Sequence, residues 1–264
     1  MWTYKGGEYI LFSMIYQVLN GDALAYSFPA APINGEVVVC REGLIDGELE
    51  GDDLSGFWRT RAGFMGMPED EYHRMVVAEF GKILTAPAGA EFNLWFEFDL
   101  FCQVNMWFVL SLLAGMAVEK KVYVVYTSWL PKEDKHFWNG YGQATTVQLI
   151  EGFANRILLS EADIQFGRDL WAAYKNADLA ELRRLSHFGT AAFPYVQEVI
   201  EAHIDRFPEN GQTGRPERVL AAIMKNGLTD FKIVFREFWN SESIYGFGDL
   251  QLMPLYKKVL VEGV

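Results

Sequence analysis

The chain is poor in cysteine and histidine, with two of the first and four of the second among 264 residues. Cys40 and Cys102 form no C-x-x-C pair, which argues against a disulfide framework. We interpret both as buried thiols in a reducing, cytoplasmic setting, with a nucleophilic cysteine as the alternative. No histidine has ligand spacing to another histidine or to a cysteine, so the sequence argues against a zinc centre.

An excess of positive charge and a membrane-spanning run are also absent. The net charge is -12, and a phosphate backbone repels an acidic chain, so the sequence argues against nucleic-acid binding by the first half. The apolar stretch 104–118 is shorter than the roughly 20 residues that cross a bilayer. Gln17 interrupts the apolar run 9–19, which argues against a secretory leader. We therefore expect no contact with a membrane.

The chain is rich in residues that form a hydrophobic core, since 50% of its residues are apolar and 15% are aromatic. Length and composition fit one large domain or two smaller ones. The pattern predicts four parts: an N-terminal extension (1–13), an α/β domain (14–144), a helical region (145–208) and a small C-terminal module (209–264).

Short apolar strands alternate with helices in the predicted α/β domain. The strands are expected at residues 15–19, 36–40, 92–96 and 122–126. Residues 43–66 resemble a long loop with one helical turn around Trp58, and a helix is predicted from Pro68 to Leu84. This alternation favours an open, mostly parallel, Rossmann-like sheet covered by helices. No G-x-G-x-x-G follows the first strand, so the usual dinucleotide-binding fold is not indicated.

The second half of the chain has a helical pattern. Helices are predicted at residues 146–158, 160–175, 178–185, 193–206 and 216–226, with another capped by Thr229 and a last one beginning at Met253. The order of the last three is helix-turn-helix-like, with a winged-helix-like tail as one form of it. Only Lys257 and Lys258 would make its third helix cationic. We therefore interpret the tail as a docking or dimerising module, with DNA binding as the alternative.

Polar residues and one glycine follow three of the predicted strands at the point where each strand ends. They are Asn20, Gly21 and Asp22 after the first strand, Arg41, Glu42 and then Asp46 after the second, and Glu97, Asp99 and Gln103 after the third. Because the carboxyl ends of parallel strands share one edge, where ligands bind in a crevice, we expect these residues to line a common cleft.

The residue types at this edge suggest roles for several of them. Asp22, Glu97 and Asp99 are candidate catalytic carboxylates and candidate oxygen ligands for Mg²⁺. Arg41 would clamp a phosphate or carboxylate of a ligand, because its guanidinium is always charged and binds in a bidentate manner. Gln103, one turn further on, would orient the ligand.

Each of these roles has a structural alternative. The segment Asn20-Gly21 is a favoured turn pair, and Asp22 would then cap the following helix. In the same way Asp99 would cap its own helix, while Glu97 would form an ion pair with Arg41. The residue pattern does not decide between these alternatives.

Three motifs occur together in the first half: Leu-Asn-Gly-Asp-Ala-Leu (19–24), Val-Val-Val-Cys-Arg-Glu-Gly-Leu (37–44) and Leu-Trp-Phe-Glu-Phe-Asp-Leu-Phe-Cys-Gln (94–103). As a set they resemble the bacterial domain-of-unknown-function family numbered eighteen thirty-five. Arg-Phe-Pro-Glu-Asn-Gly and Tyr-Gly-Phe-Gly-Asp in the second half resemble the uncharacterised module that commonly accompanies it. The resemblance implies no activity, but it marks the cleft residues above and Gly47 as pattern positions. The chain departs from the pattern at Cys40 and Phe98.

We therefore expect a protein that binds a small anionic ligand, phosphorylated or polyhydroxyl, at the strand-end cleft. Metal-assisted phosphoester or group-transfer chemistry is the catalytic form of this hypothesis. A ligand-sensing regulator or interaction protein, whose C-terminal module contacts DNA or a partner protein, is the alternative from another class. A purely structural protein is the third. Self-association of the chain is compatible with each of them.

Overall fold

The computed structural model describes residues 2–5, 8–11, 14–29, 31–208, 211–225 and 227–262. Strands β1 (Trp2–Lys5) and β2 (Glu8–Leu11) form a separate antiparallel pair. This pair lies in the predicted N-terminal extension (1–13).

The main sheet has five strands in the described part of the chain. They are β3 (Ile15–Asn20), β4 (Glu36–Cys40), β5 (Ala90–Trp95), β6 (Lys120–Val125) and β7 (Ile157–Leu158). Their order is β4-β3-β5-β6-β7; the first four are parallel, and β7 is antiparallel to β6. The α/β class and the mostly parallel sheet are therefore confirmed. The sequence missed β7, because it extended the preceding helix through Leu158.

Helices connect the strands and make up most of the second half. In the first half they are α1 (Asp22–Ser27), α2 (Leu54–Met65), α3 (Glu69–Tyr72), α4 (Ala78–Leu84) and α5 (Leu100–Ala114). In the second half they are α6 (Thr146–Ala154), α7 (Glu161–Lys175), α8 (Leu179–Leu185), α9 (Val196–Ile204), α10 (Arg215–Met224), α11 (Phe231–Glu242) and α12 (Asp249–Glu262). Within the described residues, none of the helices has both the length and the apolar character that crossing a membrane requires.

The predicted loop 43–66 is wrong over its second half, where α2 forms. Asp53 begins this helix, and its carboxylate accepts a hydrogen bond from the Gly56 amide at 2.7 Å. Such a cap satisfies a backbone donor that the first helical turn otherwise leaves free. Phe57 and Trp58 bury one face of α2 in the core. Two glycines within the helix weaken the helical signal in the sequence.

Two helix starts in the C-terminal region also differ from the prediction. The cap of α11 is Asp230 rather than Thr229, and its carboxylate accepts from the Lys232 and Ile233 amides. Helix α12 begins four residues before Met253, so Pro254 lies inside it. Pro254 is the sixth residue of α12, so its missing N–H leaves the Leu250 carbonyl without the usual helical hydrogen bond.

Side-chain alternation along the strands divides the core into two layers. The larger layer packs the sheet against α5 and α7, and its strand residues include Val18, Val38, Leu94 and Val124. The smaller layer packs the other face against α1 and α6, and its strand residues are Leu19, Trp95 and Val125. Helix α5 is buried on almost every side, which explains its apolar sequence.

The strand order indicates where a ligand crevice is expected at the edge of the sheet. The chain passes from β3 outward to β4 and then returns across β3 to β5, so connections leave β3 and β5 in opposite directions. In open α/β sheets, ligands bind outside the carboxyl ends of strands at such a point. Here the switch point lies between Asn20 and the segment that follows Trp95.

Side chains from α4 cover part of the outer edge of β4. The Glu79 carboxylate accepts from the Val39 amide at 2.9 Å, and Lys82 Nζ donates to the Val37 carbonyl at 3.0 Å. Glu79 and Lys82 are also ion-paired with each other at 2.9 Å. The pair therefore occupies one main-chain group of each residue that another strand could otherwise have used.

Candidate functional site

Asp99 and Cys102 start helix α5 directly after the carboxyl end of β5. Asp99 is the N-cap residue, and its Oδ1 accepts from the Cys102 amide at 2.9 Å. The structural alternative for Asp99, a helix cap, is therefore confirmed. The cap also brings the Cys102 thiol to the start of the helix, next to the carboxylates that follow the strand.

Glu97 faces the same point through three neighbours. Its Oε1 accepts from the Tyr141 amide at 2.5 Å, and its Oε2 lies 3.5 Å from Cys102 Sγ in a thiol hydrogen bond. Gln103 Nε2 donates to the Glu97 carbonyl at 2.7 Å. Gln103 thus positions the main chain of Glu97. Glu97 is not paired with Arg41, so that alternative is wrong.

Two asparagines connect this point to the neighbouring strands. Asn20, at the end of β3, donates from Nδ2 to Cys102 Sγ at 2.9 Å. The Oδ1 of Asn20 accepts from Asn105 Nδ2 at 2.8 Å. Asn105 Nδ2 also donates to the Glu42 carbonyl at 2.7 Å. Asn105 is fully buried and was not predicted as a site residue. It links the segments that follow β3 and β4 to helix α5.

Glu97, Asp99 and Cys102 form what we call the carboxylate–thiol cluster. One donor atom from each residue lies within 4.8 Å of the other two. No salt bridge among the described residues includes Glu97 or Asp99. The cluster therefore holds two acids and a thiol without a neighbouring cation.

Burial makes ionisation of the cluster unfavourable. It raises the pKa of Glu97 far above the usual carboxyl range, and the nearby Asp99 raises it further. Burial is also the main cause of the raised pKa of Asp99, although the Cys102 amide opposes it. The pKa of the Cys102 thiol is raised by burial and by both carboxylates. A bound cation would remove this penalty, because it favours the ionised forms.

Asp22 and Arg41 form a separate ion pair. Arg41 Nε lies 2.9 and 3.0 Å from the two Asp22 carboxylate oxygens, and Arg41 Nη1 donates to the Met75 carbonyl at 2.9 Å. Asp22 is not the cap of α1, because Gly21 holds that position with a φ of 85°. The structure therefore divides the predicted cleft residues. Asp22 and Arg41 pair with each other, whereas Glu97 and Asp99 belong to the cluster.

Glu42 and Asp46, predicted to bind a ligand, belong to a buried arginine network. The side chains of Glu42 and Arg61 are both 0% exposed, and Arg61 Nη2 lies 2.9 Å from Glu42 Oε2. The Tyr72 hydroxyl donates to the other Glu42 oxygen. Arg61 also donates to the Asp46 carbonyl, while the Asp46 carboxylate pairs with Arg206 at 3.1 Å. In this arrangement the Glu42 carboxylate is closed to a ligand from solvent.

The C-terminal region closes the cluster on one side. Gly246 lies in the loop between α11 and α12 with a φ of 62°. A β-carbon at this position would overlap the Asp99 carboxylate and would lie 3.0 Å from Phe101 Cβ. The chain therefore passes over Asp99 at a distance that only glycine allows.

Comparison with known proteins gives no relative: no family model, no curated protein and no solved structure matches this chain. The resemblance to the bacterial domain family therefore stays a prediction. The chemistry of the carboxylate–thiol cluster and its place in the sheet are the basis for assigning a function.

Proposed function

We propose that this protein binds a divalent metal ion in the carboxylate–thiol cluster and uses it to hold a small anionic ligand at the strand-end cleft. One observation carries the proposal: Glu97, Asp99 and Cys102 direct two carboxylates and a thiol to one point without a cationic partner among the described residues. Isolated buried charges are costly, so such a group is stabilised when a cation binds.

The donor set favours zinc over magnesium. Mg²⁺ takes oxygen ligands, whereas a cysteine thiolate suits Zn²⁺, which also accepts carboxylate oxygens. Asp22, the third ligand in the predicted magnesium site, is bonded to Arg41 instead. Cys102 takes its place in the proposed site. This supplies a zinc-type ligand set that histidine and cysteine spacing did not indicate.

A metal ion in the proposed site would keep one coordination position free for a ligand. Three protein donors leave a tetrahedral ion one position, which a water or an anionic oxygen would occupy. A bound metal would supply Lewis-acid assistance to phosphoester or group-transfer chemistry. The chain's own contribution is to hold the donors: Asn20 hydrogen-bonds the thiol and Tyr141 the Glu97 carboxylate. The strand order also supports the Rossmann-like character predicted from the sequence.

Metal binding by the full-length protein tests this proposal. We expect Co²⁺, used as a spectroscopic substitute for Zn²⁺, to give a thiolate-to-metal charge-transfer band that zinc abolishes by displacement. Cys102→Ala should lose this band, and Asp99→Asn should weaken binding. Cys40→Ala is the matched control, because Cys40 is also free and buried but lies outside the cluster. An unchanged band in Cys102→Ala, or no binding by the wild type, would refute the proposal.

The contact of Gly246 with Asp99 favours a second role, that of a ligand-sensing regulator. Because the loop between α11 and α12 touches the cluster, a change there would reach helices α10–α12, which the sequence predicts to be helix-turn-helix-like. No strand follows β7 in the described part of the chain, so these helices have no wing there. Hydrogen exchange of residues 243–249 should slow when Zn²⁺ binds. Unchanged exchange would leave the C-terminal module without a link to the site.

A further inference from the structure

A cavity lies at the carboxyl end of β6, and the cluster residues Glu97, Asp99 and Cys102 do not line it. Its volume is about 330 Å³, within the range of small-molecule sites. Its walls come from the end of β6, the loop that follows it and residues 191–195. Of the residues that the structure describes, no charged side chain lines it.

The aromatic side chains of this cavity hold one another in place. Phe98 stacks on Tyr126 and Phe137, with ring centroids 4.5 and 5.2 Å apart, and Tyr195 meets Phe98 edge-on at 4.8 Å. The Tyr126 hydroxyl donates to the Ala192 carbonyl at 2.6 Å, which fixes this ring against the 191–195 segment. The cavity thus has a rigid aromatic wall, and rigid walls reduce the ordering cost of binding.

One side chain that lines the cavity carries an unsatisfied hydroxyl group. Thr127 also lines the cavity and is 0% exposed, yet its Oγ1 has no hydrogen-bond partner among the described residues. Buried hydroxyl groups are usually hydrogen-bonded, and an unpaired one costs stability. Thr127 follows the end of a parallel strand, the edge at which ligands of such sheets bind.

We propose that this cavity binds a neutral, planar aromatic ring that carries a hydrogen-bonding group for Thr127 Oγ1. The aromatic wall provides stacking and edge-on contacts for such a ring. Its lack of charged groups disfavours an ionised ligand, because that charge would lose its hydration without compensation. The inference goes beyond the metal proposal and does not depend on it, since neither Glu97, Asp99 nor Cys102 lines the cavity.

Two matched probes and two matched variants test whether the aromatic ligand binds in this cavity. Saturation-transfer NMR on the full-length, metal-free protein should detect benzamide, which is planar and aromatic, and should detect cyclohexanecarboxamide much more weakly. Ala191 lines the cavity and is exposed, so Ala191→Trp should block entry without disturbing the fold. Ala88→Trp, in an exposed turn that does not line this cavity, is the control and should bind benzamide like the wild type.

The hydroxyl is tested by a second pair of variants. Thr127→Val removes Oγ1 at nearly constant volume and should weaken benzamide binding about fivefold, the effect of one lost hydrogen bond. Thr127→Ser keeps the hydroxyl and should retain binding. Cys102→Ala should leave benzamide binding unchanged, which separates this site from the metal site. Absence of binding to the wild type, equal binding in Ala191→Trp, or equal affinity in Thr127→Val would overturn the proposal.

Discussion

Gly246 lies so close to Asp99 that no side chain fits between them. The two residues are far apart in the chain, one in the loop before the last helix and the other at the start of α5. The carboxylate is therefore enclosed by the C-terminal region as well as by its own helix. This contact joins the candidate site to the part of the chain that the sequence predicted to be a separate module.

We expect Gly246→Ala to destabilise the protein more than its backbone conformation alone explains. Gly66 provides the matched control, because its φ of 64° is almost the same as the 62° of Gly246 but nothing lies within 4 Å of its added β-carbon. Gly66→Ala should cost about 1–2 kcal/mol of unfolding free energy from left-handed strain. Gly246→Ala should cost clearly more in the same urea titration. Equal losses would show that the Asp99 contact adds no constraint.

The stability of the metal-free protein should fall as pH rises above the ordinary carboxyl range, about 4. Burial raises the folded-state pKa of Glu97 and Asp99, so the native protein binds more protons than the unfolded chain in this range. Their contribution is complete at lower pH and is lost as pH rises toward the raised pKa values. Glu97→Gln should make this slope shallower in urea titrations at several pH values.

Zinc supplies the control for this pH dependence. A bound cation favours the ionised carboxylates and the thiolate, and it competes with protons for these groups. Zinc should therefore stabilise the wild type more at about pH 8 than at about pH 6. If the metal-free wild type and Glu97→Gln had the same pH slope, Glu97 would not be the titrating group.

The pair Glu42–Arg61 should be essential for stability but not for metal binding. Arg61→Met leaves a buried carboxylate without its cation, which costs about 3–5 kcal/mol. Arg184→Met is the control, because Arg184 pairs with Glu181 on the surface and its loss should be barely measurable by the same denaturation assay. A mild effect of Arg61→Met would mean that water or the Tyr72 hydroxyl compensates for Glu42.

Asn105 should support the site through its hydrogen bonds rather than by contact with a ligand. Asn105→Ala removes the partners of the Leu44 amide, the Glu42 carbonyl and the Asn20 amide oxygen. Each buried group left unpaired costs about 1–3 kcal/mol. Thermal unfolding should detect this loss, whereas Asn176→Ala, at an exposed helix end, should differ little from the wild type. Wild-type stability in Asn105→Ala would contradict this role.

The sequence predicts the strands well because they are short, apolar runs rich in β-branched and aromatic residues. It also places Asn20, Glu97 and Asp99 at one edge, since that follows from parallel strands alone. It does not show that Asp22 would pair with Arg41, because several acidic residues at the strand ends could reach the same arginine. Such a choice depends on how far each side chain extends in three dimensions.

The sequence did not indicate several residues of the site, because tertiary contacts rather than local patterns bring them there. Tyr141 reaches Glu97 by its backbone amide, which every non-proline residue has, so its identity gives no signal. Arg61 was hidden in a stretch predicted as a loop, and Asn105 sits among apolar residues of α5. Cys102 had one available signal, its position three residues after a helix-capping acid. The prediction that Cys102 is a buried thiol is confirmed, but the sequence did not indicate that this thiol lies beside Glu97 and Asp99.

The side chains of Glu79 and Lys82 have a consequence for assembly. Because they occupy the Val39 amide and the Val37 carbonyl, a second copy of the chain would find two of the pairing groups on this border strand already used. Sheet extension across that border would first have to displace a helix-borne ion pair. Growth into a continuous intermolecular sheet is therefore opposed from this side.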